Sequence, residues 1–296
     1  MPSRSWTPPF PLDVGAVLGP LRRGAGDPCF STDGGLSFAA NTPGGPGTLR
    51  VTRVDGVVHA EAWGDGAVWL LDGLPALLGA DDPVDDFVAH HDLVAEIRRW
   101  RPGLRLGSCG RVWDVLFPAI LEQKVTGKEA WRTWRELCRR FGTDAPGPLG
   151  LKVPPTPDAI LRINDWEWHR AGLDGARRRA LVACAQVAHR LEKAAELRGE
   201  EGRSLLRKVP GVGVWTAAEV AQRAWGDPDA VSYGDFHIAK NVGYALTGKP
   251  VDDDGMMELL EPYTPQRQRA VRYIEGAGIQ RPRRAPRFSP RDYRGF

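Results

Sequence analysis

The chain predicts an α+β fold, a small antiparallel-sheet domain followed by an all-helical domain, and three observations carry that expectation. Short apolar runs separated by glycine-rich turns occupy the chain up to about Ala95, the pattern of strands joined by tight turns. From about Asp85 to Gly276 apolar residues instead recur at helical spacing. Charge divides at nearly the same place: residues 1–100 hold 7 Lys/Arg against 13 Asp/Glu, and residues 101–296 hold 33 against 24. The helical part is thus the basic one, where a polyanion would dock.

In chain order, Thr48–Val54, Val57–Trp63 and Ala67–Leu71 read as antiparallel strands, with Asn41–Gly47 a loop by composition. The helical body carries turn signals at Pro146–Pro157 and at Gly248. Within it Ser204–Val209 is helix-forming, Pro210 and Gly211 interrupt it, and Trp215–Trp225 resumes the helical pattern, which makes a tight helix-hairpin-helix. A further apolar helical run covers Ile238–Leu246. Arg281–Phe296 carries six arginines and three prolines and reads as an extended tail, either lying along a DNA backbone or simply solvated. The expected division is an N-terminal domain at 1–95, a helical domain at 96–280 and a basic tail at 281–296.

Composition narrows the class. With 296 residues, 42% apolar and 26% charged, the chain is long enough for two domains with cores of their own. It has no apolar run of membrane-spanning length, and MPSRSWTPPF lacks the basic-then-apolar order of a signal peptide, so a cytoplasmic protein is expected. The cysteines, Cys29, Cys109, Cys138 and Cys184, are scattered without metal or cluster spacing, and free thiols are expected.

The candidate chemistry lies between Leu205 and Lys240. Gly211 and Gly213 allow the hairpin backbone to turn its N–H groups outward at the start of the next helix, where a phosphate can sit. A plain helix connection would use the same residues. Asp235, in Ser-Tyr-Gly-Asp-Phe-His just before the Ile238 helix, is placed to cap it. Capping is compatible with catalysis, because a helix N-terminus holds a carboxylate ionised and fixed in direction.

Here the chain resembles a known family. The run VPGVGVWTA followed by GDFH is similar to the helix-hairpin-helix (HhH-GPD) DNA glycosylases, which end in a Gly/Pro-rich hairpin and a catalytic Asp. Trp100–Cys109, Phe117–Thr126, Pro155–Ala159 and Ala171–Leu181 narrow the resemblance to the alkylated-base branch, 3-methyladenine DNA glycosylase II, over roughly residues 100–276. It implies a monofunctional enzyme that flips a damaged, alkylated purine out of double-stranded DNA and hydrolyses its N-glycosidic bond, with Asp235 catalytic. The alternatives are a relative acting on another purine lesion and a non-catalytic DNA-binding protein. Trp215 stands where bifunctional relatives carry a nucleophilic lysine, so no AP lyase activity is expected.

The resemblance further implies Trp215, Phe236 and Tyr233 as walls of the base pocket, and Gln123 with Lys124 as the wedge that fills the gap left by the base. It implies Gly211, Gly213, Thr216 and Lys208, joined by Arg207, as the phosphate grip. Arg177, Arg178 and Arg179 are a basic run that either touches phosphate or is solvated. Neither a structural metal nor an iron–sulfur cluster is expected, since no cysteine follows Cys184, and the resemblance implies a monovalent cation at the hairpin carbonyls. A monomer bound to DNA in the prokaryotic nucleoid, without membrane contact, is the expected state. Two departures from the family stand out: Lys124 replaces an apolar wedge, and Glu219 and Glu275 replace aromatic walls.

Overall fold

Five antiparallel strands in the order β1-β5-β4-β3-β2 open the computed structural model, which describes residues 2–279. They are β1 (Ser3–Trp6), β2 (Phe30–Ser31), β3 (Leu36–Thr42), β4 (Gly45–Val54) and β5 (Val57–Trp63). Alternation sets the register: Val51 faces Ala60 and Leu49 faces Ala62, and all four side chains are buried on the core face. The tail 281–296, with its expected role, lies outside the described residues.

Two local expectations are corrected. Ala67–Leu71 is not a strand but the start of a helix, Ala67–Asp72. Ala67, Leu70 and Leu71 face the core at helical spacing while Val68 is 63% exposed, a one-sided burial that a five-residue apolar run does not reveal. Asn41–Gly47 is likewise not a free loop. β3 and β4 run through it, Asn41 paired with Pro46 and Thr42 with Gly45. Asn41 then binds the helical body, its backbone N–H and its amide both donating to Asp114 at 3.0 Å.

The helix Val112–Leu121 runs through the middle, with Leu116, Phe117 and Ile120 fully buried. Its first amides, Val112 and Trp113, donate to Glu192 at 2.9 and 2.8 Å, and its last carbonyl, Leu121, accepts from Arg177 Nη1 at 2.7 Å. Arg177 is only 4% exposed, so this member of the basic run is a helix-end anchor and not a phosphate ligand. Glu167 and Asp165 engage Arg140 and Arg178 nearby.

Helices pack in two groups. The sheet, the Val112 helix, Gly175–Gln186 and the second hairpin helix share one core. Asp92–Trp100, Ile238–Thr247, Asp253–Leu260 and Arg267–Gly276 share another around Val94, Val242, Met256 and Val271. A buried ion pair, Asp82 with Arg269, ties the last of these helices to the N-terminal half. No helix among the described residues is long and apolar enough to cross a membrane. All four cysteines are buried, free thiols, and burial pushes Cys184 up to about 12.

Candidate active site

The hairpin joins Gly199–Arg207 to Val214–Ala224. Val209 and Val212 are buried and hold the turn on the body. Gly211 has φ +91°, and a Cβ there would meet Ala180 Cβ at 2.5 Å, so conformation and packing both require glycine. At Gly213 a Cβ would meet nothing within 4 Å, leaving the outer face of the turn open. The amides of Gly211, Gly213 and Val214 donate to no acceptor among the described residues, the state expected of a helix start that faces solvent.

Gln123 braces this hairpin from the side. Its Nε2 donates to the Gly211 carbonyl at 2.9 Å and to Thr216 Oγ1 at 2.8 Å. The next residue, Lys124, is exposed and has φ +54°, a left-handed conformation that few residues with side chains adopt. The turn closes at Thr126, whose side chain and Glu129 form a capping box for the helix Gly127–Phe141.

Asp235 lies where the two helix groups meet. Oδ1 accepts from the His237 and Ile238 amides at 2.7 and 3.0 Å and so caps Ile238–Thr247. Oδ2 accepts from Trp215 Nε1 at 3.2 Å, across to the second hairpin helix. One carboxylate is thereby aimed by both groups, and its direction is fixed before any ligand arrives.

Beside it lies a cluster of paired polar side chains. Glu219 follows Trp215 by one turn; its Oε1 accepts from Ser232 Oγ at 2.5 Å and its Oε2 from Arg223 Nη1 at 2.8 Å. Arg23 pairs with Glu122 at 3.4 Å, and Arg272 with Glu275 at 3.3 Å. Burial works against the Arg223 charge, yet Glu219, Glu122 and Glu275 outweigh it and hold its pKa above the ordinary value. Arg23 is the converse, lowered by burial despite Glu122. Glu275 keeps 43% of its side-chain surface accessible, but the surrounding protein, with Glu219 close by, pushes its pKa up.

No protein-family model matches the chain. Over 167 residues, 54% of its length, it is 28% identical to the "probable bifunctional transcriptional activator/DNA repair enzyme AlkA" of two Mycobacterium tuberculosis strains. It spans only about a third of those relatives, 33% of their length. Whole-chain superposition is more extensive. A 3-methyladenine DNA glycosylase from Archaeoglobus fulgidus aligns with TM-score 0.74 and 18% identity, over 92% of this chain and 97% of that one. The fold is that of the helix-hairpin-helix DNA glycosylases. The 8-oxoguanine glycosylase/lyase of Clostridium acetobutylicum aligns similarly, with TM-score 0.72 and 13% identity over 93% of this chain and 96% of that one. The Schizosaccharomyces pombe 3-methyladenine DNA glycosylase Mag1, solved with abasic DNA, aligns with TM-score 0.52 and 17% identity, covering 63% and 91% of the two chains.

Within this glycosylase fold the residues singled out from sequence separate into two sets. Asp235 with Trp215, and Gln123 with Gly211 and Thr216, form two hydrogen-bonded groups joined where Trp215 and Thr216 are neighbours in the chain. Thr216, expected on the phosphate, is 2% exposed and already receives the Gln123 amide, so its hydroxyl stands behind the hairpin. Phe236, expected as a pocket wall, is 58% exposed with Lys240 Nζ 4.3 Å from its ring centroid; it looks outward beside Asp235. Tyr233 donates its hydroxyl to Asp254 at 2.8 Å on the outer side of the loop. Lys208 is exposed at the hairpin, whereas Arg207 is held by Glu200 and Ser204 of its own helix.

Arg223, Arg23 and Ser232 were not singled out from sequence. Arg223 was detectable, since it follows Glu219 at the i,i+4 spacing of a helical ion pair. Arg23 comes from the N-terminal half and carries no local signal. The glycine geometry makes a direct prediction. Gly211→Ala is expected to cost about 1–3 kcal/mol through overlap with Ala180 and its positive φ. Gly213→Ala should stay within about 0.5 kcal/mol of the parent; urea denaturation of both variants checks the contrast.

Proposed function

We propose that the chain is a monofunctional DNA glycosylase that extrudes a damaged, alkylated purine from double-stranded DNA and hydrolyses its N-glycosidic bond. The observation that carries this reading is Asp235, held by the helix amides on one oxygen and by the Trp215 indole on the other, beside a hairpin with outward-facing amides.

The geometry supports a specific division of labour. Amides of the hairpin at Gly211 and Gly213, with Lys208 alongside, grip a backbone phosphate, and the basic helical domain supplies the long-range attraction. Lys124, projecting from the turn that Gln123 ties to the hairpin, enters the space vacated by the base, its stem packing against neighbouring bases and its ammonium reaching phosphate. Trp215 offers an indole face to the extruded base.

As the base departs, positive charge builds on the sugar, and the fixed Asp235 carboxylate stabilises it. The same group orients and deprotonates the attacking water. Trp215 cannot form a Schiff base, so the product is an intact strand with an abasic site. A monovalent cation shared by hairpin carbonyls fits this reading; the Gly211 and Val209 oxygens each already accept one hydrogen bond and keep a second lone pair. The reading includes no other cofactor and a monomer acting in the cytoplasm on the nucleoid.

Incubation of the purified protein with methylated duplex DNA tests it. Free methylated purine should appear, and the strand should stay unbroken until alkali is added. DNA binding without base release would reject the glycosylase reading, and strand breaks without alkali would reject the monofunctional one.

A further inference from the structure

The polar cluster beside Asp235 holds more chemistry than bond cleavage needs. Trp215, Glu219 and Arg223 follow one another at one-turn spacing on the second hairpin helix, so the indole, the acid and the guanidinium share one face of it. Each Glu219 oxygen accepts one hydrogen bond, from Ser232 and from Arg223, and each keeps a lone pair for a ligand. Arg223 spends Nε on the Pro20 carbonyl and Nη1 on Glu219, while its Nη2 makes no hydrogen bond among the described residues.

A second, independent feature also points to a ligand. Arg223 also lines a cavity together with Gln222 and Gln268, and Gln268, 2% exposed, has no hydrogen-bond partner for its Oε1 among the described residues. Buried amide oxygens are costly to leave unpaired, and a bound polar group would relieve that one.

The charges do not favour a cationic ligand as such. Each acid of the cluster has its own arginine: Glu219 with Arg223, Glu122 with Arg23 and Glu275 with Arg272. What remains is a hydrogen-bonding row. The carboxylate presents two acceptors and the adjoining guanidinium a donor. A guanine edge presents the complement, donors at N2 and N1 and an acceptor at O6. An adenine edge puts the N1 lone pair against the carboxylate.

We infer that Glu219 and Arg223 read the Watson–Crick edge of the extruded base and select a guanine-derived lesion over its adenine-derived counterpart. This rests on the glycosylase reading for the base being extruded, and it narrows the substrate from damaged purines to those with a guanine edge. A site built to hydrogen-bond a substrate rejects the mismatched analogue strongly, because its own polar groups are then left unpaired.

Set opposite the same abasic-site analogue, 7-methylguanine and 7-methyladenine as non-cleavable 2′-fluoroarabino nucleosides give duplexes that differ at that edge alone. The wild-type protein should bind the 7-methylguanine duplex at least about 100-fold more tightly. Glu219→Gln, which places an amide N–H against a guanine donor, should bring the ratio to within about tenfold. Equal wild-type affinities, or a preference for 7-methyladenine, overturn the inference without any variant. So does a Glu219→Gln protein that weakens both complexes by the same factor, the mark of a structural role. If the binding ratio holds but the ordinary methylated duplex loses no base, edge reading stands and the glycosylase reading falls.

Discussion

Asp235→Asn is expected to bind duplex DNA while releasing base more slowly by about 10³-fold, the order lost when one fixed electrostatic stabiliser is removed. The fold should survive, since asparagine caps a helix as well as aspartate does. The chemistry should not. With its single oxygen on the His237 and Ile238 amides, the variant turns its NH₂ toward Trp215 Nε1, a donor facing a donor, so charge and indole anchor are lost together. Single-turnover base release, run beside a gel-shift titration, reads both quantities. A rate within tenfold of the parent would move the catalytic role to another group.

Asp82→Ala is expected to lower stability by about 3–5 kcal/mol, the cost of leaving a buried charge without its partner. Both side chains of the Asp82–Arg269 pair are 0% exposed. Arg269 Nη1 donates to Asp82 Oδ2 at 2.9 Å, Nη2 donates to Oδ1, and Leu106 N donates to Oδ2 at 2.9 Å. Gln266 Oε1 takes the remaining Nε–H at 2.5 Å. Removing the acid leaves the buried guanidinium with Gln266 Oε1 as its one hydrogen-bond acceptor among the described residues. Replacing both partners with apolar residues, Asp82→Leu with Arg269→Met, should recover much of the loss. Denaturant titration of the single and double variants decides it. Because this pair anchors the helix that carries Gln268, Arg272 and Glu275, the single variant should also loosen the polar cluster.

Much of the hairpin was legible in the sequence because its determinants are local. Pro210, Gly211 and Gly213 interrupt one helical run and start another whatever the rest of the chain does. Asp235 as a cap was legible for the same reason, lying just before an apolar helical run. Ala67–Leu71 failed because five apolar residues fit a strand or a helix equally well, and only packing against the sheet chose between them. Arg177 failed because a basic run looks alike whether it is solvated or buried on a helix end.

By itself the sequence determined the α+β class, the order of sheet and helices, the hairpin and the placement of Asp235 at a helix start, all of them consequences of spacing along the chain. Only the tertiary structure decided that Trp215 orients Asp235, that Gln123 braces the hairpin and that Phe236 looks outward. It alone set Arg223 and Gln268 on one cavity. Those contacts join residues remote in sequence and on separate helices. Their geometry depends on how two cores pack, and no periodicity within either helix encodes it.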